Sequence, residues 1–328
     1  MAGANDLGRR AFVGTIALAP AAWRTVAAEA AARVVRFGVI SDVHQDLVPD
    51  AVSRLTAFAE AMRAWQPDFV IHCGDFCQPH ERNRAFLEVW NSLPMPHYAV
   101  LGNHDMDGGY QREQTVAYYG MPAAHYSFEA GPLRGIVLDG NEPGGQAKGY
   151  ARYIGAEQRN WLAAELARDP RPALVFCHQP PEHPDGLENG AEVRAVLDAA
   201  EAKRPGSVAA VFAGHLHQDY ARVLNQIPYL QVNSSSYLWL GSDLARETWP
   251  PEVHAKYRHL ASTAGYRDPL WAEVTVDLAA GTLTVAGRAS AWVGPDPWTR
   301  GASEQQCLRD AVRPAIEPRA LRLAPAGR

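Results

Sequence analysis

Cysteine is scarce in this chain. Four cysteines in 328 residues are too few for a fold built on disulfides. No run of ~18 or more uninterrupted apolar residues occurs, which excludes a permanent transmembrane helix. Positive charge is not in excess either. The net charge is −5, without a basic stripe or long like-charge run, so a nucleic-acid polymer is not the expected partner. There is no Walker A loop, no H-E-x-x-H and no G-x-G-x-x-G, which removes three common routes to phosphate, zinc and dinucleotide binding. Repeats and low-complexity tracts are absent. What remains, 47% hydrophobic and 20% charged, is the composition of an ordinary globular protein.

The first thirty residues stand apart. Gly8-Arg9-Arg10-Ala11-Phe12-Val13 resembles a twin-arginine export signal, with Gly8 where Ser or Thr is usual and Val13 where Leu is usual. A moderately apolar stretch, Ala11 to Trp23, follows; it is too short to span a membrane and is interrupted by Pro20. Ala28-Glu29-Ala30 then offers an A-x-A-like cleavage site. Residues 1–30 are therefore expected to be a cleaved signal peptide. The twin-arginine machinery would carry the folded precursor to a periplasmic or extracellular address.

From Arg36 the pattern becomes regular. Apolar runs at 37–41, 69–73, 97–101, 173–177 and 208–213 read as buried strands. Helical periods at 50–65, 80–92, 155–168 and 188–203 lie between them, and alternation in ~30-residue units is the signature of parallel βαβ pairing. Further strands are expected at 124–130 and 133–139, an antiparallel pair at 220–224 and 229–232, and a late hairpin at 270–278 and 282–293. Residues 31–293 read as one domain, without a convincing linker, and 294–328 as a tail wrapping its surface. Cys73, Cys77 and Cys177 are expected to be buried free thiols, with the state of Cys307 open.

Five polar blocks follow directly on apolar runs: Asp42-Val43-His44, Gly74-Asp75, Gly102-Asn103-His104-Asp105, His178 and Gly214-His215-Leu216-His217. Each sits where a strand stops, and open α/β sheets place ligand sites at that carboxyl edge. Carboxylate, imidazole and amide oxygen together suit borderline divalent or trivalent ions, with Mn, Fe and Zn foremost. Two such ions ~3.5–4 Å apart can bridge a hydroxide, lower its pKa and clamp a phosphoryl group. Any block alone has a plainer explanation: Asp75 could cap a turn, and Asn103 after Gly102 could be a turn residue. All five in this order do not.

The five blocks resemble the motifs of the calcineurin-like metallophosphoesterases, over roughly residues 36–240. The resemblance implies a four-layer αββα sandwich, two mixed sheets flanked by helices, with the metal site at the strand carboxyl ends. It assigns Asp42, His44 and His217 to one metal, Asn103, His178 and His215 to the other, and Asp75 to both. It makes His104 the general acid for the leaving oxygen and Asp105 the group that orients it. It implies hydrolysis of a small phosphomonoester, phosphodiester or nucleotide.

Within the family, purple acid phosphatases carry a metal-binding tyrosine three residues after the bridging aspartate; here that position is Gln78. Two subgroups stay in view: bacterial cyclic-nucleotide phosphodiesterases, through D-x-H and G-N-H-D, and manganese-dependent ADP-ribose and CDP-alcohol diphosphatases, through Glu157–Leu162 and Val211–His215. A non-catalytic scaffold of the same fold is the remaining alternative, though no ligand or acid is missing. Selectivity is expected in 106–111, 140–153 and 233–240, where Tyr110, Tyr150, Tyr153, Tyr237 and Trp239 could stack on a base. His183 is a further candidate for substrate contact. Ser234, Ser235 and Ser236 lack a nucleophile elbow and read as a polar loop near the metals.

Overall fold

In the computed structural model, the apolar runs become strands of two six-stranded mixed sheets. The structure describes residues 33–304 and 309–325, so the expected signal at 1–30 and Cys307 lie outside the described residues. In chain order the main elements are β1 (Val34–Ile40), α1 (Ala51–Trp65), β2 (Phe69–His72), α2 (Arg84–Asn91), β3 (His97–Ala99), α3 (Arg112–Tyr119), β4 (Tyr126–Ala130), β5 (Leu133–Leu138), α4 (Ala156–Arg168), β6 (Ala173–Cys177), α5 (Gly190–Lys203), β7 (Val208–Ala213), β8 (Tyr220–Leu224), β9 (Ile227–Gln231), β10 (Tyr237–Trp239), α6 (Pro251–Lys256), β11 (Thr263–Gly265), β12 (Ala272–Asp277), β13 (Thr282–Ala286), β14 (Arg288–Ala289), β15 (Ala315–Ile316) and β16 (Arg319–Arg322). No described helix is long and apolar enough to cross a membrane.

The first sheet runs β16-β13-β12-β1-β2-β3, with β1, β2 and β3 parallel. The second runs β4-β5-β6-β7-β9-β8, with β5, β6, β7 and β9 parallel. Parallel strands covered on both faces must be apolar throughout, and β6 and β7 are buried at every residue. Phe37 and Phe69 of the first sheet pack against Phe176 and Phe212 of the second, with Phe37 ring centroids 6.0 and 5.4 Å from those of Phe176 and Phe212. On the outer face of the first sheet, Ile40 and Val70 meet Leu55, Phe58 and Met62 of α1 and Trp90 of α2. Across the second sheet, Val175 and Val211 meet Leu162 of α4 and Leu197 of α5. These three apolar layers make the αββα order.

The tail departs from simple surface wrapping. Leu283 pairs with Leu321, so β16 forms an edge strand of the first sheet. The late hairpin is also shorter than expected. β13 stops at Ala286, and Gly287 separates it from β14, which turns to pair with β15 of the tail. Apolar alternation alone does not show such a change of partner.

Candidate active site

Three site loops leave the ends of β1, β2 and β3, and two leave β6 and β7. The second sheet thus delivers His178, His215 and His217 to carboxylates supplied by the first. Backbone hydrogen bonds lock the loops together: Asp42 N–H donates to Gly74 O at 3.0 Å and His44 N–H to Asp75 O at 3.0 Å. Ser234 and Ser236 hold the first loop from below, donating to Asp42 O (2.9 Å) and Val43 O (2.8 Å). That is the polar-loop role read for the serines.

Close approach demands glycine at two points. Gly74 has φ +89°, and a Cβ there would lie 2.6 Å from His178 Nδ1. A Cβ on Gly102 would collide with the Asp75 backbone nitrogen and carboxylate. Five residues of the site loops are also unusual. Asp42, His44, Asp75, His215 and His217 all have φ between 50° and 74°, a left-handed conformation that costs side-chain-bearing residues about 1 kcal/mol or more each.

Two groups of ligand-type atoms result: Asp42, His44 and His217, and Asp75, His178 and His215, each within 4.8 Å of one another. In the first group, His217 Nε2 lies 3.1 Å from Asp42 Oδ1 and 3.2 Å from His44 Nε2. In the second, His178 Nδ1 lies 2.7 Å from Cys73 O. A carbonyl only accepts, so Nδ1 carries the proton and Nε2 faces inward. That Nε2 is 3.2 Å from both Asp75 Oδ2 and Asn103 Oδ1. Asp75 Oδ2 is also 3.7 Å from His44 Nε2, so one carboxylate oxygen stands between the two groups.

The electrostatics call for positive charge here. Burial acts to raise Asp42 and Asp75, yet the facing histidines outweigh it and hold both carboxyls below their usual range. Burial pushes His44 and His215 down to about 3, leaving them neutral. His178 behaves oppositely: burial lowers it, but the Asp75 carboxylate prevails and brings it up to about 10. Four imidazoles, an amide oxygen and two buried carboxylates converging on two points form a donor set suited to borderline metal ions. The residues fit such ions.

His104 stands beside both groups. Its backbone N–H donates to Asp75 Oδ1 at 2.8 Å, and its ring Nδ1 lies 2.7 Å from Asp107 Oδ2. Tyr150 donates its hydroxyl to Asp107 Oδ1 at 2.8 Å and lies 3.1 Å from His104 Nδ1. Burial lowers His104, but Asp75 and Asp107 together bring it up to about 9.

Asp105 does not orient His104, contrary to expectation. Its two carboxylate oxygens accept Phe76 N–H (2.6 Å) and Gly102 N–H (2.8 Å), tying the second loop to the third. The reason is local. His104–Met106 is a 3₁₀ turn, in which residues i and i+3 eclipse, so Asp107 rather than Asp105 comes alongside His104.

A cavity of about 330 Å³ contains His44, Asp75 and His104 in its wall, together with Gln78 and Lys256–His259. An adjoining one of about 470 Å³ adds Asn103, His215, His217, Tyr150, Tyr237 and Trp239. Tyr150 and Trp239 are 43% and 47% exposed, whereas Tyr237 is buried beneath His44 and His217. Of the five aromatics considered for stacking, only those three line the cavities. His183 turns toward the Tyr220 ring and lines neither cavity. Glu157–Leu162 lies on α4, where Leu162 is core and Gln158 holds the Asp139 backbone, so that segment is packing. Cys73, Cys77 and Cys177 are buried free thiols. Reading the sequence placed Asp107 only within the 106–111 selectivity loop, assigned Tyr150 to stacking alone, and missed Lys256–His259, whose only sequence signal is polarity.

The family model for calcineurin-like phosphoesterases matches residues 35–219. The chain belongs to that family. It is 31% identical over 209 residues to a probable glycerophosphodiester phosphodiesterase GpdQ of Arcobacter nitrofigilis, covering 58% of this chain and 74% of that protein. It is 29% identical over 155 residues to a 3′,5′-cyclic-nucleotide phosphodiesterase of Nostoc, covering 45% of this chain and 54% of the relative. Among solved structures, a dimetal phosphatase from Danio rerio shares the fold, with TM-score 0.56 and 15% identity over 79% of this chain and 98% of that one. This calcineurin-like protein is a metal-dependent phosphoester hydrolase, and its two ligand groups are the candidate metal sites.

Proposed function

We propose that this phosphoesterase cleaves a small phosphodiester, with His104 as the general acid and Asp107 as the group that positions it. The observation that carries the reading is the shared Asp75 Oδ2 between two ligand groups, with His104 held beside them in the same cavity wall. Asp42, His44 and His217 would hold one ion and Asn103, His178 and His215 the other, with Asp75 common to both. Ions bound there acidify water and neutralise phosphoryl oxygens.

The chain's own residues account for the rest. His104 Nδ1–H donates a hydrogen bond to Asp107, which leaves the Nε2–H to serve a leaving oxygen. Tyr150 fixes the far oxygen of Asp107. The phosphodiesterase names of two relatives favour a diester over a monoester. Metal analysis combined with turnover of bis-p-nitrophenyl and p-nitrophenyl phosphate tests the reading. About two ions per chain and faster diester cleavage are expected; a metal-loaded protein inactive on every phosphoester sinks it.

We further assign the activity to a periplasmic or extracellular address, on the strength of Arg9 and Arg10. Replacing both by lysine should retain the precursor in the cytoplasm on fractionation; unchanged export would count against a twin-arginine route.

A further inference from the structure

One stretch of the cavity wall belongs to none of the five blocks. Lys256 ends α6, and Arg258 and His259 follow it into the same wall as His44, Asp75 and His104. All three are exposed. Among the described residues, no carboxylate pairs with Lys256 or Arg258. The Lys256 ammonium lies instead 5.1 Å over the Tyr257 ring. The carboxylates that share this wall are already engaged. Asp46 is held by Arg82 and Asn83, Asp107 by Tyr150 and His104, Asp105 by two backbone N–H groups and Asp75 by His178.

Uncompensated cations on a concave wall focus a positive field into the cavity. An arginine fork beside a lysine matches the geometry and charge of a phosphate group. The cleaved phosphoryl group is already met by His104 and by the ions that the two ligand groups would hold, so further unpaired cations in the same wall are free to meet a second anionic group. We propose that Lys256 and Arg258 form a subsite for a second phosphoryl group of the substrate, distinct from the one cleaved. This rests on the phosphodiesterase reading above and narrows it: the preferred diester carries a phosphate on its alcohol portion.

Two chromogenic esters separate the cases, thymidine 5′-(p-nitrophenyl phosphate) and the same compound bearing a 3′-phosphate. The manganese-loaded protein should favour the 3′-phosphorylated ester by about tenfold in kcat/KM, mainly through KM. Lys256→Ala combined with Arg258→Ala should bring that ratio close to one. A wild-type ratio of one, or a ratio unchanged in the double variant, overturns the proposal. Calorimetric titration with inorganic pyrophosphate gives a readout independent of turnover. The double variant should bind about tenfold more weakly than wild type, and equal affinity refutes the subsite. If neither ester is cleaved, the phosphodiesterase reading falls while the pyrophosphate titration still decides the subsite.

Discussion

The floor and the rim of this cavity are built in different ways. The floor consists of buried side chains at the ends of five strands, held by backbone bonds between loops and by glycines that admit no Cβ. The rim consists of Asp107, Tyr150, Trp239 and Lys256–His259, half-buried or exposed groups from four separate segments. The floor has no freedom to vary without losing its geometry, whereas each rim segment can change alone. Chemistry common to a family belongs in the first kind of structure, and choice of substrate in the second.

Substitutions can break that division or sharpen it. Asp75→Asn strikes the floor at its shared ligand. Metal content should fall at both sites and activity by ~10³ or more, since several kcal/mol of charge stabilisation rest on those ions; full two-ion occupancy by elemental analysis would contradict the shared role. His104→Ala sits at the boundary. Two ions should stay bound while turnover drops by ~10²–10⁴ for a poor leaving group, and loss of metal would make His104 a ligand instead.

Asp107→Asn tests whether a rim residue acts through the floor. The expected loss is ~10–100-fold in kcat, shrinking when p-nitrophenolate leaves, because that group departs without a proton. A loss equal for all leaving groups would reduce Asp107 to a structural part.

The smallest effect concerns stability alone. His72 is buried and stacks on Phe76 at 4.2 Å, with neither ring nitrogen hydrogen-bonded. Burial pushes its pKa down to about 3. The unfolded chain takes up a proton below about pH 6.5 and the folded one does not, so this residue withdraws stability as pH falls through that window. His72→Phe keeps the ring and removes the titration. Between pH 7 and 5 its denaturation midpoint should gain on that of wild type by an amount worth about 1–2 kcal/mol. Parallel curves for the two metal-free proteins would show His72 protonated in the fold.

The same division explains what could be read beforehand. The structure brings Asp42, His44, Asp75, Asn103, His178, His215 and His217 together, and the sequence can single them out because each lies within a few residues of a strand end. Asp105 was misjudged by adjacency: the turn at 104–106 has three residues per revolution and brings Asp107 round instead. Lys256 and Arg258 meet the site through tertiary folding of an irregular stretch, and nothing in their local sequence marks the encounter. In the fold, strands 37–41 and 69–73 stand out as largely apolar runs, whereas β16, with its alternating exposed residues, has no pattern apart from its partner.

The left-handed backbone at five floor positions carries an evolutionary consequence. Glycine at His44, His215 or His217 would sit there more comfortably, so the native histidines hold their places against a constant thermodynamic pull. A descendant copy relieved of catalysis would gain stability from its first inactivating changes. Scaffolds without activity should therefore arise readily from this architecture, and should be tougher than the enzymes they come from.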